Sequence, residues 1–386
     1  MRTAYICETP FHLFQCVRYA CNIRNSTDVA DLYLNEKADA GLEKRFAPER
    51  TGIFENVVRF DQEAVKVSYA ESIISGLTDK YVKRNEYNTL KKKIAYAHFV
   101  KRAILMTGSC VPADRLLSYD RILAPAGTGL TISLSVINPQ AEIVYYEDGI
   151  GGYYGDMFIF GRYADSLRSK LEKCGIDPED LRPGEILVSD PSHCRSKTAK
   201  KISKMECGDP SSAEIRQALH RVFGDDNADI YLKNRIVYFS PLTVGDHEDY
   251  KIVATRNKKL CEDIDSVGMS FVVRPHPKEE NDLPDMKNGT VEKDCVQWEM
   301  IAMEQISDEH ILIGGCSTAQ LTPKLLFDRE PYVIFTYDEL FGGTGIEKKE
   351  IADVMNILFE LYRDKSKVMI LKKGEDIAEV LRRIAG

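Results

Sequence analysis

Short β-branched runs alternate with helical patterns along nearly the whole chain, and no other feature constrains the fold as strongly. RTAYIC (Arg2 to Cys7) has the composition of a buried strand, and Thr9 then Pro10 supplies an N-cap followed by proline at the first helical position. Leu13, Phe14, Val17 and Cys21 continue that segment with helical spacing. VADLYLN (Val29 to Asn35) is a second strand ahead of another helical stretch, and VVRF at Val57, RILAP at Arg121 and EIVYYEDG at Glu142 follow. A long helical region, Lys80 to Met106, is inserted between them. Such βα alternation predicts a parallel sheet with helices on both faces.

The alternation pauses between about Asp180 and Asp229, where DPEDLRPGE, SDPSHC and CGDPSS are rich in Pro, Gly, Ser and charge. It resumes with RIVYFSP (Arg235 to Pro241) and a helix carrying Val253, Leu260 and Ile264 on one face. SFVVRPHP, VQWEMIAMEQIS, HILIGG, STAQLTPKLLF and EPYVIF complete the second series. A chain of 386 residues exceeds the size at which a single core stops growing. The expected organisation is therefore α/β: two doubly wound, Rossmann-like domains, 1–190 and 230–386, joined by a linker 191–229 and facing each other across a cleft. Open α/β sheets bind ligands beyond the carboxyl ends of their strands, so those ends hold the candidate site residues.

Composition excludes several classes. No run of about 18 apolar residues occurs, and MRTAYICETPF lacks the pattern of a signal peptide, which predicts a cytoplasmic protein. The ten cysteines form no C-x-x-C pair, and most lie in apolar segments, as core thiols do. A formal net charge of −8 argues against a nucleic-acid binder. Charge is uneven, however. Lys80 to Arg102 holds eight Lys or Arg against one acid, and Cys194 to Lys204 holds five against none. Each run reads first as a solvated surface and second as an attraction to an anionic glycan or membrane surface.

Three strand ends carry chemistry. In YYEDGIGGYYGD, adjacent Glu147 and Asp148 arrive as a strand ends, with Gly149, Gly151, Gly152 and Gly155 following. Neighbouring strand side chains point to opposite faces, so one of the two acids faces the cleft, where a general base would act. In RPHP, Pro275 and Pro277 hold His276 extended at the end of its strand, suited to a phosphate or a leaving group. The other six histidines read as structural, with His12 set apart because TPFH opens the first helix at a strand end. In HILIGGCSTAQL, the strand passes through Gly314 and Gly315 into Ser317 and Thr318, where unpaired helix amides and two hydroxyls form a phosphate site, or Ser317 caps the helix. The one D-x-D match, Asp263 to Asp265, lies inside a helical segment, a poor place for a metal–diphosphate site.

In this order, EDG (Glu147 to Gly149), HP (His276 and Pro277), the hydroxyl pair Ser317–Thr318 and the early TPFH resemble bacterial sialyltransferases. The lipooligosaccharide sialyltransferases, glycosyltransferase family 52, are the nearest in pattern, with the bacterial polysialyltransferases as cousins. The resemblance spans most of the chain, and it is the combination of short motifs that carries it. It implies a GT-B fold, CMP-sialic acid as donor, inversion at the anomeric centre, and neither metal nor other cofactor. The acceptor implied is a hydroxyl of a surface glycan such as a galactoside, with peripheral contact to the inner membrane surface and paired subunits compatible with the family. Position by position it implies Asp148, or else Glu147, as the base, and His276 as the acid at the departing CMP phosphate. Ser317 and Thr318 would hold that phosphate and Glu299 the cytidine ribose. Thr9, His12, Gly149, Pro277 and Gly315 complete the set of binding candidates. Where the polysialyl enzymes carry two serines this chain has Cys316-Ser317-Thr318, and Asp246 or Asp249 in SPLTVGDHEDY is a competing base. Rival functions are transfer from another nucleotide sugar, a GT-B nucleotide-sugar 2-epimerase, against which the EDG motif argues, and a silent glycan- or membrane-binding protein using the Lys80 to Arg102 face.

Overall fold

The computed structural model describes residues 1–25, 27–35, 46–61, 90–108, 110–125, 129–154, 171–172, 175–197, 199–224, 229–243, 248–276, 283–292, 297–347 and 351–385. The chain divides into two compact units, Met1–Asp225 and Asp226–Gly386.

The first unit is built on a parallel seven-stranded sheet. Its strands are β1 (Arg2–Cys7), β2 (Val29–Asn35), β3 (Asn56–Phe60), β4 (Arg121–Ala124), β5 (Glu142–Tyr146), β6 (Glu185–Val188) and β7 (Lys201–Lys204), in the spatial order β3-β2-β1-β4-β5-β6-β7. Chain order runs outward from β1 on one side, then returns to β4 on the other, so the switch point lies between β1 and β4. Helices α1 (Pro10–Ile23), α2 (Leu90–Met106) and α3 (Gly129–Ile137) pack with this sheet. The core beneath α2 and α3 joins Ile6, Phe60, Val100, Leu130, Ile143 and Tyr145.

The second unit repeats the plan with six parallel strands: β8 (Ile236–Phe239), β9 (Phe271–Arg274), β10 (Gly289–Val291), β11 (Ile311–Gly314), β12 (Tyr332–Phe335) and β13 (Val368–Ile370). Their order is β10-β9-β8-β11-β12-β13, which puts the switch point between β8 and β11. Both β8 and β11 are buried throughout, as central parallel strands covered on both faces must be. The segment carrying Asp263 and Asp265 is helical, in Asp249–Asp265, with Leu260 and Ile264 buried.

Residues 191–229, expected as a linker, hold β7, paired with β6, and helix α4 (Ala213–Phe223), which packs on α1. Phe223 of α4 lies 6.1 Å from Phe14 and 5.0 Å from Phe46 between ring centroids. Polar turn residues around short β6 and the exposed, lysine-ended edge strand β7 conceal both strands in the sequence. The helical stretch after β2 and residues 80–89 of the basic run lie outside the described residues, whereas Leu90–Met106 is helical as expected. No described helix is long and apolar enough to cross a membrane.

Because β7 and α4 complete the first unit, a fragment ending at Asp225 is expected to unfold in one cooperative transition. A fragment ending at residue 190 exposes Phe14 and the face of α1, and is expected to lose that transition. Thermal unfolding followed by circular dichroism checks both.

Candidate functional site

In the first unit, the carboxyl edge of the sheet brings two sequence candidates into contact. After β1 the chain turns through Glu8 and Thr9 into α1, where Thr9 is the N-cap and its Oγ1 accepts from the His12 amide at 3.3 Å. That cap directs the His12 ring inward, edge-on to the buried Tyr146 at 5.5 Å, and only 1% of the His12 side chain is exposed. The amide of Glu8 donates to His12 Nδ1 at 3.1 Å. With Nδ1 accepting, the ring carries its proton on Nε2, which donates to Asp148 Oδ1 at 2.8 Å. His12 is thereby engaged on both nitrogens, and the Asp148 carboxylate it holds has a side chain that is 48% exposed. Partial burial pushes the Asp148 carboxyl up, but the hydrogen bond and charge interaction with His12 outweigh this and leave it below the usual carboxylate range.

Glu147 faces the other way. It is 1% exposed and accepts from Gln15 Nε2 at 2.9 Å, Tyr153 OH at 2.8 Å, the Ser189 amide at 2.8 Å and Ser189 Oγ at 2.5 Å. Burial raises its carboxyl above the ordinary value, although the bonds from Ser189, Tyr153 and Gln15 oppose the rise. Gly149 follows at φ 60°, a left-handed turn that glycine takes without cost, and it folds the next residues back over Glu147. Adjacent acids thus separate into a buried, fully bonded carboxylate and an exposed one. Gln15, Tyr153 and Ser189 were not singled out in the sequence. Ser189 is reached only through the pairing of β5 with β6, which brings residue 187 beside Tyr146.

In the second unit, Arg274 closes β9 and is anchored by Glu292, by the Tyr231 hydroxyl at 3.1 Å and by the Trp298 ring at 5.6 Å. His276, two residues beyond, is exposed, and Pro277 lies outside the described residues. After β11 the chain passes through Gly314 and Gly315 to Cys316, which adopts φ 67°, and enters helix α5 (Thr318–Phe327). A side chain at Gly315 would meet the Phe341 and Leu340 side chains at 3.0 and 3.2 Å, so the turn packs tightly. The amides expected to be unpaired here are in part engaged. Cys316 and Ser317 donate theirs to Gln320 Oε1 at 3.0 and 3.1 Å, and Ser317 Oγ takes that of Ala319 at 3.2 Å, a capping box. Ser317 therefore serves as the N-cap, and Ser317 and Thr318 are both half-buried at the carboxyl edge. Glu299 is buried at 5% exposure and bonded by Gln297. Of the competing bases, Asp249 accepts from the Gly345 amide at 2.7 Å, and Asp246 lies outside the described residues. Among the described residues no three His, Cys, Asp or Glu come together as metal ligands.

No protein-family model and no curated protein matches the sequence. Among solved structures, the chain is similar to a sialyltransferase from Photobacterium damsela, with TM-score 0.51 and 10% identity over 96% of this chain and 81% of that one. It is also similar to the glycosyltransferase of kitacinnamycin, with TM-score 0.48 and 11% identity over 99% and 89%. A third likeness is to a putative UDP-N-acetylglucosamine 2-epimerase from Listeria monocytogenes, with TM-score 0.44 and 10% identity over 100% and 95%. At these identities the likeness is one of fold. Two parallel-sheet α/β units in one chain make the fold GT-B.

The two neighbouring acids differ in what their removal does. Glu147→Ala strands several buried donors and is expected to cost about 3 kcal/mol of stability. Asp148→Ala strands only one donor, His12 Nε2, and is expected to cost less, about 1–2 kcal/mol. Urea denaturation of both variants checks the contrast.

Proposed function

We propose that this protein is an inverting glycosyltransferase that moves sialic acid from CMP-sialic acid to a hydroxyl of a surface glycan, as its resemblance to glycosyltransferase family 52 implies. The observation that carries the reading is the exposed Asp148 carboxylate, held by a buried histidine whose other nitrogen is already engaged. Such a group accepts a proton and is fixed in direction while it does so. In the proposed reaction the acceptor oxygen attacks the anomeric carbon, its proton passes to Asp148, and the bond from that carbon to the CMP phosphate oxygen breaks. Negative charge grows on the phosphate, where His276 donates to it and the Ser317 and Thr318 hydroxyls hold it. No metal is required in this scheme, because the charge is met by hydrogen-bond donors.

The distinction between Glu147 and Asp148 also follows from this reading. A base must be reachable and must stay ionised, and Asp148 meets both conditions, whereas Glu147 is enclosed and its charged form is disfavoured by burial. Transfer from another nucleotide sugar would use the same base, and the identity of the leaving nucleotide separates the two readings.

Release of CMP from CMP-sialic acid in the presence of a galactoside, undiminished by EDTA, is the expected result. Preference for a uridine or thymidine nucleotide sugar would replace this donor with another. Asp148→Asn is expected to lower kcat by about 10²-fold or more, and His276→Ala by about 10²-fold. The pH dependence has a definite sign. Asp148 works unprotonated, so activity is expected to persist to below the ordinary carboxylate range and to fall as pH drops through its lowered value. His12→Ala removes the lowering bond and leaves the burial, so the acid limb of kcat/KM is expected to move to higher pH.

A further inference from the structure

A second carboxylate occupies the carboxyl edge of the first sheet, one strand beyond the base. β5 and β6 are hydrogen-bonded neighbours with Tyr146 opposite Leu187, and Asp148 and Asp190 each follow two residues after their strand ends. Adjacent strands lie about 4.8 Å apart, so the two loops leave the sheet side by side. They are also joined by hydrogen bonds. Ser189 donates both its amide and its hydroxyl to Glu147. The Asp190 amide donates to Tyr153 OH at 3.2 Å, and Tyr153 in turn donates to Glu147. Arg195 donates its amide to the Gly152 carbonyl at 3.1 Å. The buried Glu147 carboxylate therefore holds Asp190 in a fixed place relative to Asp148.

Asp190 is itself oriented and incompletely used. Its Oδ1 accepts from the Ser192 amide at 3.1 Å and from Ser192 Oγ at 2.5 Å, and its Oδ2 accepts from His193 Nδ1. Among the described residues two donors fill Oδ1 and one bonds Oδ2, which leaves one of a carboxylate's roughly four positions open. The side chain is 16% exposed, enough for a small polar group to reach it. Burial pushes its carboxyl up, but the bonds from Ser192 and His193 outweigh that and keep it ionised. An ionised oxygen with one open position and a fixed direction is suited to a neutral O–H donor, with which it forms a short charge-assisted bond.

We propose that Asp190, oriented by Ser192 and His193 beside Asp148, is an acceptor-binding residue that takes a second hydroxyl of the acceptor sugar and so selects which hydroxyl meets the base. The proposal rests on the transferase reading above and names a recognition element that the EDG, HP and hydroxyl motifs do not contain. A sugar bound by one hydroxyl pivots about it. A second bond on the neighbouring strand removes that freedom and brings one particular oxygen to Asp148.

The test is acceptor kinetics with a galactoside and its monodeoxy analogues. Asp190→Asn keeps the shape and removes the charge, and it is expected to raise the acceptor KM about tenfold or more, the size of one bond to a charged group. The donor KM is expected to move by less than about threefold. One monodeoxy galactoside should be as poor for the wild type as the parent sugar is for Asp190→Asn, and Asp190→Asn should no longer distinguish that pair. An unchanged acceptor KM, or equal penalties for every deoxy analogue in both proteins, overturns the proposal. Asp190→Glu, which keeps the charge and displaces it, should also raise the acceptor KM, and its wild-type unfolding temperature separates a misplaced contact from a damaged loop. If the wild type does not use CMP-sialic acid, the donor reading fails, and the subsite is then read by calorimetric titration of the galactoside alone. About tenfold weaker binding to Asp190→Asn supports it, and equal affinity overturns it.

Discussion

A buried carboxylate with several donors organises the first unit's functional edge. Glu147 lies where β5 ends, and Gln15 from α1, Tyr153 from the turn that follows and Ser189 from the end of β6 all converge on it. An acid enclosed in this way is costly unless bonded, so the three segments that bond it cannot move independently without exposing the charge to apolar surroundings. The same constraint fixes its neighbour. Once Glu147 points inward, the backbone delivers Asp148 to the outside, and Gly149 at φ 60° turns the chain away and leaves it accessible.

His12 complements that arrangement from α1. Its ring is buried against Tyr146, and a backbone amide on Nδ1 decides which nitrogen holds the proton. The imidazole then orients a carboxylate and lowers its proton affinity without exchanging a proton with a ligand itself. The second unit solves a different problem. There the turn after β11 is closed by its own capping box, with Gln320 and Ser317 satisfying backbone amides inside the protein. Ser317 and Thr318 are half-buried at this turn, and after β9 His276 is exposed.

Much of the architecture was legible because central parallel strands are buried on both faces and read as apolar runs. β1, β5, β8, β9, β11 and β12 all announce themselves in this way, and the Thr9-Pro10 and Ser317 caps mark the helix starts. β7 and β10 do not, because short edge strands need few apolar residues and carry charge or glycine instead, and β13, although apolar, is only three residues long. The candidate residues were legible as residue types at strand ends, but less so as contacts. Alternation along β5 requires that only one of Glu147 and Asp148 face outward, yet the choice depends on Gln15 and Ser189, which are distant in sequence. His193 looked like an ordinary structural histidine for the same reason. It bonds Asp190, which follows β6, the strand paired with β5.

The central claim is that Asp148 receives the acceptor proton. It is tested most directly by a crystal structure with a galactoside and a non-transferable analogue of the donor bound together. The account predicts the reacting hydroxyl about 2.6–3.2 Å from an Asp148 carboxylate oxygen, with His12 still bonded to the other side of that carboxylate. A reacting hydroxyl bonded instead to Asp249, or to any group while Asp148 contacts only water, would contradict it.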